Sequence, residues 1–295
     1  MRLSAPIFAI VGLSLVTLQG HAYTFTPGEF VTHSQEEYGT FERIGEPFDP
    51  AVAALVESNF DTLFAPFEDL LQVGIPGPAG FSMIFDSADA VIAYLPAAGN
   101  PGPLTADLLD PIFSASGVLG GEVVTATLNL ALSNAGLLAH PAGEALGDLV
   151  FQNLEALIGS PFFSGLDPDI AKLDGLPIHE VLSEANLLIG GYPSPVSASD
   201  LEAALYTANE AFWDGLLPTD TFVNGDVYTP SAYLVAPPSS APAAPEPATW
   251  AMLLIGFAGL GFAHYRLVGG ASRRRPCSQG LGSRAPTMGF RHDQP

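Results

Sequence analysis

The chain predicts an α+β body, a small β-hairpin or sheet packed with several short helices, followed by one C-terminal transmembrane helix. Three observations predict it. Short apolar runs flank a Pro76-Gly77-Pro78 turn, as a hairpin requires. Longer stretches repeat apolar residues at helical spacing between Gly and Pro breaks. An uncharged run, Thr249 to Tyr265, lies near the end of the 295 residues.

Arg2 gives a short positive region at the start, and Ala5 to Leu18 is mostly apolar. Gly20-His21-Ala22 is a small-x-small cleavage site. Residues 1–22 therefore predict a secretory signal peptide cut after Ala22. Tyr23 to His33 alternates apolar and polar residues around Pro27-Gly28, which predicts one or two short strands. Pro50 to Phe60 predicts a short helix. Asp69 to Gly74 and Gly80 to Phe85 predict the hairpin, and Ser87 to Leu95 a helix capped by Ser87 and stopped by Pro96.

Ala97 to Pro111 predicts a Gly/Pro loop. Gly121 to Leu132 predicts a buried helix. Pro177 to Ile189 predicts another, with Pro177 in its first turn and Gly190-Gly191 at its end. Asp200 to Trp213 predicts a helix with Ser199 and Glu202 as a capping box and Gly215 closing it. These elements fill an exported domain over residues 23–235.

Residues 236–247 hold five prolines and predict an extended stalk. Residues 248–270 predict the transmembrane helix, with Trp250 and Tyr265 suited to the two headgroup belts. Residues 271–295 carry Arg273, Arg274, Arg275, Arg284 and Arg291 and predict a basic, disordered cytoplasmic tail. By the positive-inside rule the arginines stay behind while the body crosses, which predicts a membrane-anchored precursor with its body outside the cytoplasm.

The charge is one-sided. Arg43 and Lys172 are the only basic residues of the body, against 29 of the 31 acids, a net charge of −27. That excludes a nucleic-acid partner, because phosphate would be repelled. The single cysteine, Cys277, lies in the tail, so the body has no disulfide and must be held by an ordinary apolar core.

The order Pro245-Glu246-Pro247, apolar run, then Arg273 to Arg275 resembles the PEP-CTERM sorting signal of Gram-negative bacteria. The resemblance implies recognition by an exosortase, a membrane protease-transferase, at the tripeptide. It also implies stop-transfer at the arginines and delivery to the envelope or extracellular matrix, often beside exopolysaccharide. The chain departs from the pattern by continuing from Pro276 to Pro295. The body is similar to a recurring exported region of bacterial surface proteins, on TPGEFVTHSQEEYG, FDSADAVIAYLPAAGNPGPLTADLLDP, GGEVVTATLNLALS and GLPIHEVLSEANLLIGG. That similarity implies a secreted or surface protein and supplies no catalytic residues.

Motifs for chemistry are sparse. The sequence contains no G-x-S-x-G elbow, and His179-Glu180 is not followed by the second histidine of H-E-x-x-H. His33, His140 and His179 are expected to be surface or hydrogen-bonded residues. Asp167, Asp169 and Asp174, and Asp220, Asn224 and Asp226, offer oxygen ligands but miss the EF-hand pattern, so caps and turns are the first expectation and weak Ca²⁺ binding an open one. Phe60, Phe64 and Phe67, or Trp213, are expected in the core rather than on sugar.

The expected role is therefore non-catalytic, structural or adhesive, with no cofactor and no metal. Expected partners are an exosortase-type protease and exopolysaccharide. A secreted polysaccharide hydrolase and a Ca²⁺-dependent adhesin are the two other classes compatible with the composition.

Overall fold

Ser34 starts the first helix in the computed structural model, which describes residues 24–39, 50–77, 80–221 and 227–237. Its hydroxyl accepts from the Glu37 N–H, and the Glu37 carboxylate accepts from the Ser34 N–H, so the one-turn α1 (Gln35–Tyr38) is capped reciprocally. α2 (Pro50–Phe64) follows and runs a turn beyond the predicted end. It continues into a 3₁₀ turn, Ala65–Phe67, which ends on two successive left-handed residues, Glu68 and Asp69.

The hairpin comes next. β1 (Leu71–Gly74) and β2 (Ser82–Phe85) pair antiparallel, with Leu71 opposite Phe85 and Gly74 opposite Ser82. Ser87 caps α3 (Ala88–Tyr94) through the Ala90 N–H. The predicted loop after it contains a short strand, β3 (Leu108–Leu109), which adds to β2 in parallel.

α4 (Gly117–Asn134) is the longest helix described. Its Leu119, Val123, Val124, Leu128 and Leu132 are all fully buried. Each such side chain stabilises the fold by about 1.5–3 kcal/mol relative to exposure. α4 packs on α5 (Ile178–Ile189), α6 (Ala198–Glu210) and β1. It is apolar nearly all round because it is surrounded, as a buried helix should be.

The remaining strands are two-residue pairings: β4 (Val150–Phe151) with β7 (Leu234–Val235), and β5 (Asp220–Thr221) with β6 (Val227–Tyr228). The described residues belong to one compact unit that ends at Ser239.

Four expectations need correction. The α+β body is present, but the fold class with a transmembrane helix is not supported: among the described residues no helix is long and apolar enough to cross a membrane. The apolar helix that is present, α4, carries Glu122 and Asn129 and spends its length on the domain's own core. The stretch predicted to span, 248–270, lies outside the described residues, as do 1–22 and 271–295.

Second, the described part of the N-terminal segment, 24–33, forms neither one strand nor two. Thr32 makes one isolated bridge to Trp213, and Phe25 and Phe30 turn inward onto Phe212, with Phe25 and Phe212 ring centres 4.8 Å apart. Third, the capping box of α6 is Ser197 with Asp200, two residues before Ser199 and Glu202. Fourth, the loop 97–111 is not wholly irregular, because β3 lies within it.

Candidate functional site

A buried polar network joins α1, α4 and α6. Glu122 and Asn129 are seven residues apart on α4, so both face the same side. Glu122 is 4% exposed and Asn129 1%. Asn129 treats the chain at His33 as a partner strand would. Its Oδ1 accepts from the His33 N–H at 3.0 Å, and its Nδ2 donates to the His33 carbonyl at 2.9 Å. The Tyr38 hydroxyl donates to the same Oδ1 at 2.8 Å. Asn129 Nδ2 also donates to Asn209 Oδ1 of α6.

Glu122 closes the other end. Asn209 Nδ2 donates to its carboxylate at 2.7 Å and to its backbone carbonyl at 3.1 Å. Gln35 Nε2 donates to the second carboxylate oxygen, and Gln35 Oε1 accepts from the Ala97 N–H at 3.0 Å. Burial pushes the Glu122 carboxyl well above its usual range. The two amide donors oppose that shift, and the Glu202 and Glu210 charges reinforce it. Burial dominates.

Glu202 is the second perturbed carboxylate. It lies on α6 and burial pushes it up to about 7. One turn later, Tyr206 stacks edge-on with Phe163 at 5.6 Å, beside Phe162, Tyr228 and Tyr233. The rings meet at tilted or T-shaped angles, which is core-like packing rather than a flat platform for a sugar.

His140 and His179 are engaged by local carbonyls, and His33 lies against its own turn. His33 is buried edge-on to Tyr38, with Nδ1 3.4 Å from Glu37 Oε1. His140 Nδ1 lies 3.0 Å from the Pro141 carbonyl, and His179 Nδ1 2.8 Å from that of Gly147. The acids of the 167–174 segment are caps: Asp167 accepts from the Asp169 N–H and Asp174 from the Leu154 N–H. Asp169 pairs with Lys172 at 2.8 Å on the surface. Asn224 and Asp226 lie outside the described residues. Among the described residues no group of three or more His, Cys, Asp or Glu could hold a metal ion.

Phe60 and Phe64 pack at 4.9 Å in the core, whereas Phe67 is 66% exposed, against expectation. Two left-handed residues, Glu68 and Asp69, follow it and lead the chain into β1. The sorting residues Pro245, Glu246, Pro247, Arg273, Arg274 and Arg275, and the cleavage residue Ala22, lie outside the described residues.

Sequence reasoning missed Gln35, Glu122, Asn129 and Asn209. One signal was available: two polar residues at seven-residue spacing in an otherwise apolar helix, GEVVTATLNLALS. No family model, curated protein or solved structure matches this chain.

Proposed function

We propose that this chain is an exported protein of the cell envelope or exopolysaccharide matrix, with a non-catalytic structural or adhesive role. An exosortase-type membrane protease sorts it at Pro245-Glu246-Pro247. The observation that carries the reading is the order of that tripeptide, an uncharged run and the Arg273 to Arg275 cluster. The body supports it in two ways. Its net charge of −27 suits a soluble, self-repelling exported domain. Its buried polar groups, Gln35, Glu122, Asn129 and Asn209, are engaged with one another and with backbone. A network sealed from solvent clamps residues 32–38 to two helices and leaves no carboxylate of that network open to a substrate.

The test replaces Pro245, Glu246 and Pro247 with alanine in a host that makes an exosortase. Intact-mass spectrometry then follows the protein in each cell fraction. The wild type should lose Arg273 to Arg275 by a cut near Pro245, and the variant should keep them. Identical mature C-termini in the two proteins would end the sorting proposal.

A further inference from the structure

Between β3 and α4 the sequence runs Leu108-Leu109-Asp110-Pro111-Ile112-Phe113. Pro111 is buried, yet Leu109, Ile112 and Phe113 are 67%, 70% and 78% exposed. Single exposed apolar residues are ordinary, but three large ones within five positions form a patch. The segment is braced rather than loose. Asp107 Oδ1 accepts from the Ser82 N–H at 2.9 Å, and Asp110 Oδ1 from the Asp86 N–H at 3.0 Å. The Asp110 N–H donates to the Ile84 carbonyl at 2.8 Å, and Asp110 itself is left-handed at φ 45°.

β3 is an edge strand, paired with β2 alone. Ladder alternation turns Leu108 and Asp110 toward β2, so the N–H and carbonyl of Leu109 face outward. Beside this edge lies an open cavity of about 330 Å³, lined by Leu104, Leu108, Phe113 and Ser114 among others. It has room for an apolar side chain. Two of the six residues from Asp107 to Ile112 are acids, and Lys172 is the single Lys or Arg among the described residues.

We infer that the β3 edge and the Leu109–Ile112–Phe113 crest form a docking surface for an extended segment of another protein that carries both apolar and basic residues. Main-chain pairing to Leu109 sets the strand direction, the cavity takes an apolar side chain, and Asp107 and Asp110 attract the basic ones. A second copy of this chain is the wrong occupant. It would set those same acids against their equivalents, with −27 on each body. A membrane surface is also disfavoured, because Asp107 and Asp110 beside the crest would repel anionic headgroups. Docking here does not depend on the sorting signal.

The test titrates the ¹⁵N-labelled full chain with a short peptide of alternating valine and lysine, and with its valine–glutamate counterpart. The lysine peptide should shift the amides of Asp107 to Phe113 first. Ile112→Ser with Phe113→Ser should weaken binding about tenfold or more. Both positions are exposed, so the fold should survive, and circular dichroism checks that it does. Asp107→Asn with Asp110→Asn keeps an acceptor oxygen at each brace and should weaken binding while flattening its salt dependence. Equal binding of the two peptides, shifts spread over the whole acidic surface, or no shift at all would each overturn the inference. So would dimerisation through the crest without peptide, or capture of the crest by phosphatidylcholine vesicles.

Discussion

Glu202→Gln should make the protein more stable at alkaline pH and leave it unchanged in acid. The carboxyl of Glu202 is held at about 7 in the fold against an ordinary 4.5, and burial is the cause. Below pH 4.5 both folded and unfolded chains carry the proton, so the group contributes nothing. Between 4.5 and 7 the unfolded chain releases its proton and the folded chain keeps it, so stability falls as pH rises. Above 7 both are ionised and the penalty is complete. At 1.36 kcal/mol per pH unit the gap amounts to about 3 kcal/mol, and partial contact with water reduces it toward ~2 kcal/mol. Glutamine keeps the shape and removes the ionisation. Urea denaturation followed by far-ultraviolet circular dichroism, at pH 4 and pH 8, reads the difference. Wild type and variant should coincide at pH 4, and the variant should gain about 2–3 kcal/mol at pH 8. A difference that is the same at both pH values, or a loss at pH 8, would refute burial as the dominant effect on this group.

Asn129→Ala should destabilise the fold by roughly 3 kcal/mol or more, because it strands the His33 N–H and carbonyl, the Tyr38 hydroxyl and Asn209 Oδ1; hydrogen exchange should show residues 32–38 opening ahead of α4. Gly117→Ala should destabilise as well. Gly117 starts α4 at φ 55°, and an added Cβ would run into the Asn100 carbonyl, so a thermal melt should shift down while Gly143→Ala, which is left-handed but open, costs less.

What was legible in the sequence was local. Pro76-Gly77 between two apolar runs gave away the hairpin, and Pro177 with Gly190-Gly191 bounded α5, because turn and cap chemistry acts over a few residues. α6 was legible as a helix but mis-capped. Ser197 and Ser199 both precede an acid three positions on, and the choice falls to Ser197 because Asp200 also accepts from the Asp167 N–H in a neighbouring turn. That contact is 33 residues distant and leaves no local trace. The strands β4 to β7 are two-residue pairings, too short to show alternation. The N-terminal segment misled for a related reason: its alternation suits a strand, but Phe25 and Phe30 gain more by packing on Phe212 than by pairing. The polar network joins residues 80 to 96 positions apart, so only its α4 members, Glu122 and Asn129, could have been suspected.

The acids of α6 show why counting charges says little about where function lies. Asp200 is fully buried, but it caps the helix and accepts from the Ser197 N–H and hydroxyl and from Asp167, so its burial is offset by hydrogen bonds at a helix end that favours negative charge. Glu202 is two residues on and has no such donors among the described residues, so burial raises its proton affinity instead. Glu210 sits in the last turn, where the helix dipole disfavours an anion, and its charge adds to the load on Glu122. One residue class on one helix thus does three different things, each set by available donors and depth. The same reasoning separates interior from exterior. Interior carboxylates are committed to the fold, whereas the many exposed ones are solvated at little cost and shape the field around the molecule. An approaching partner meets that field and the apolar crest beyond β3, not the network beneath them.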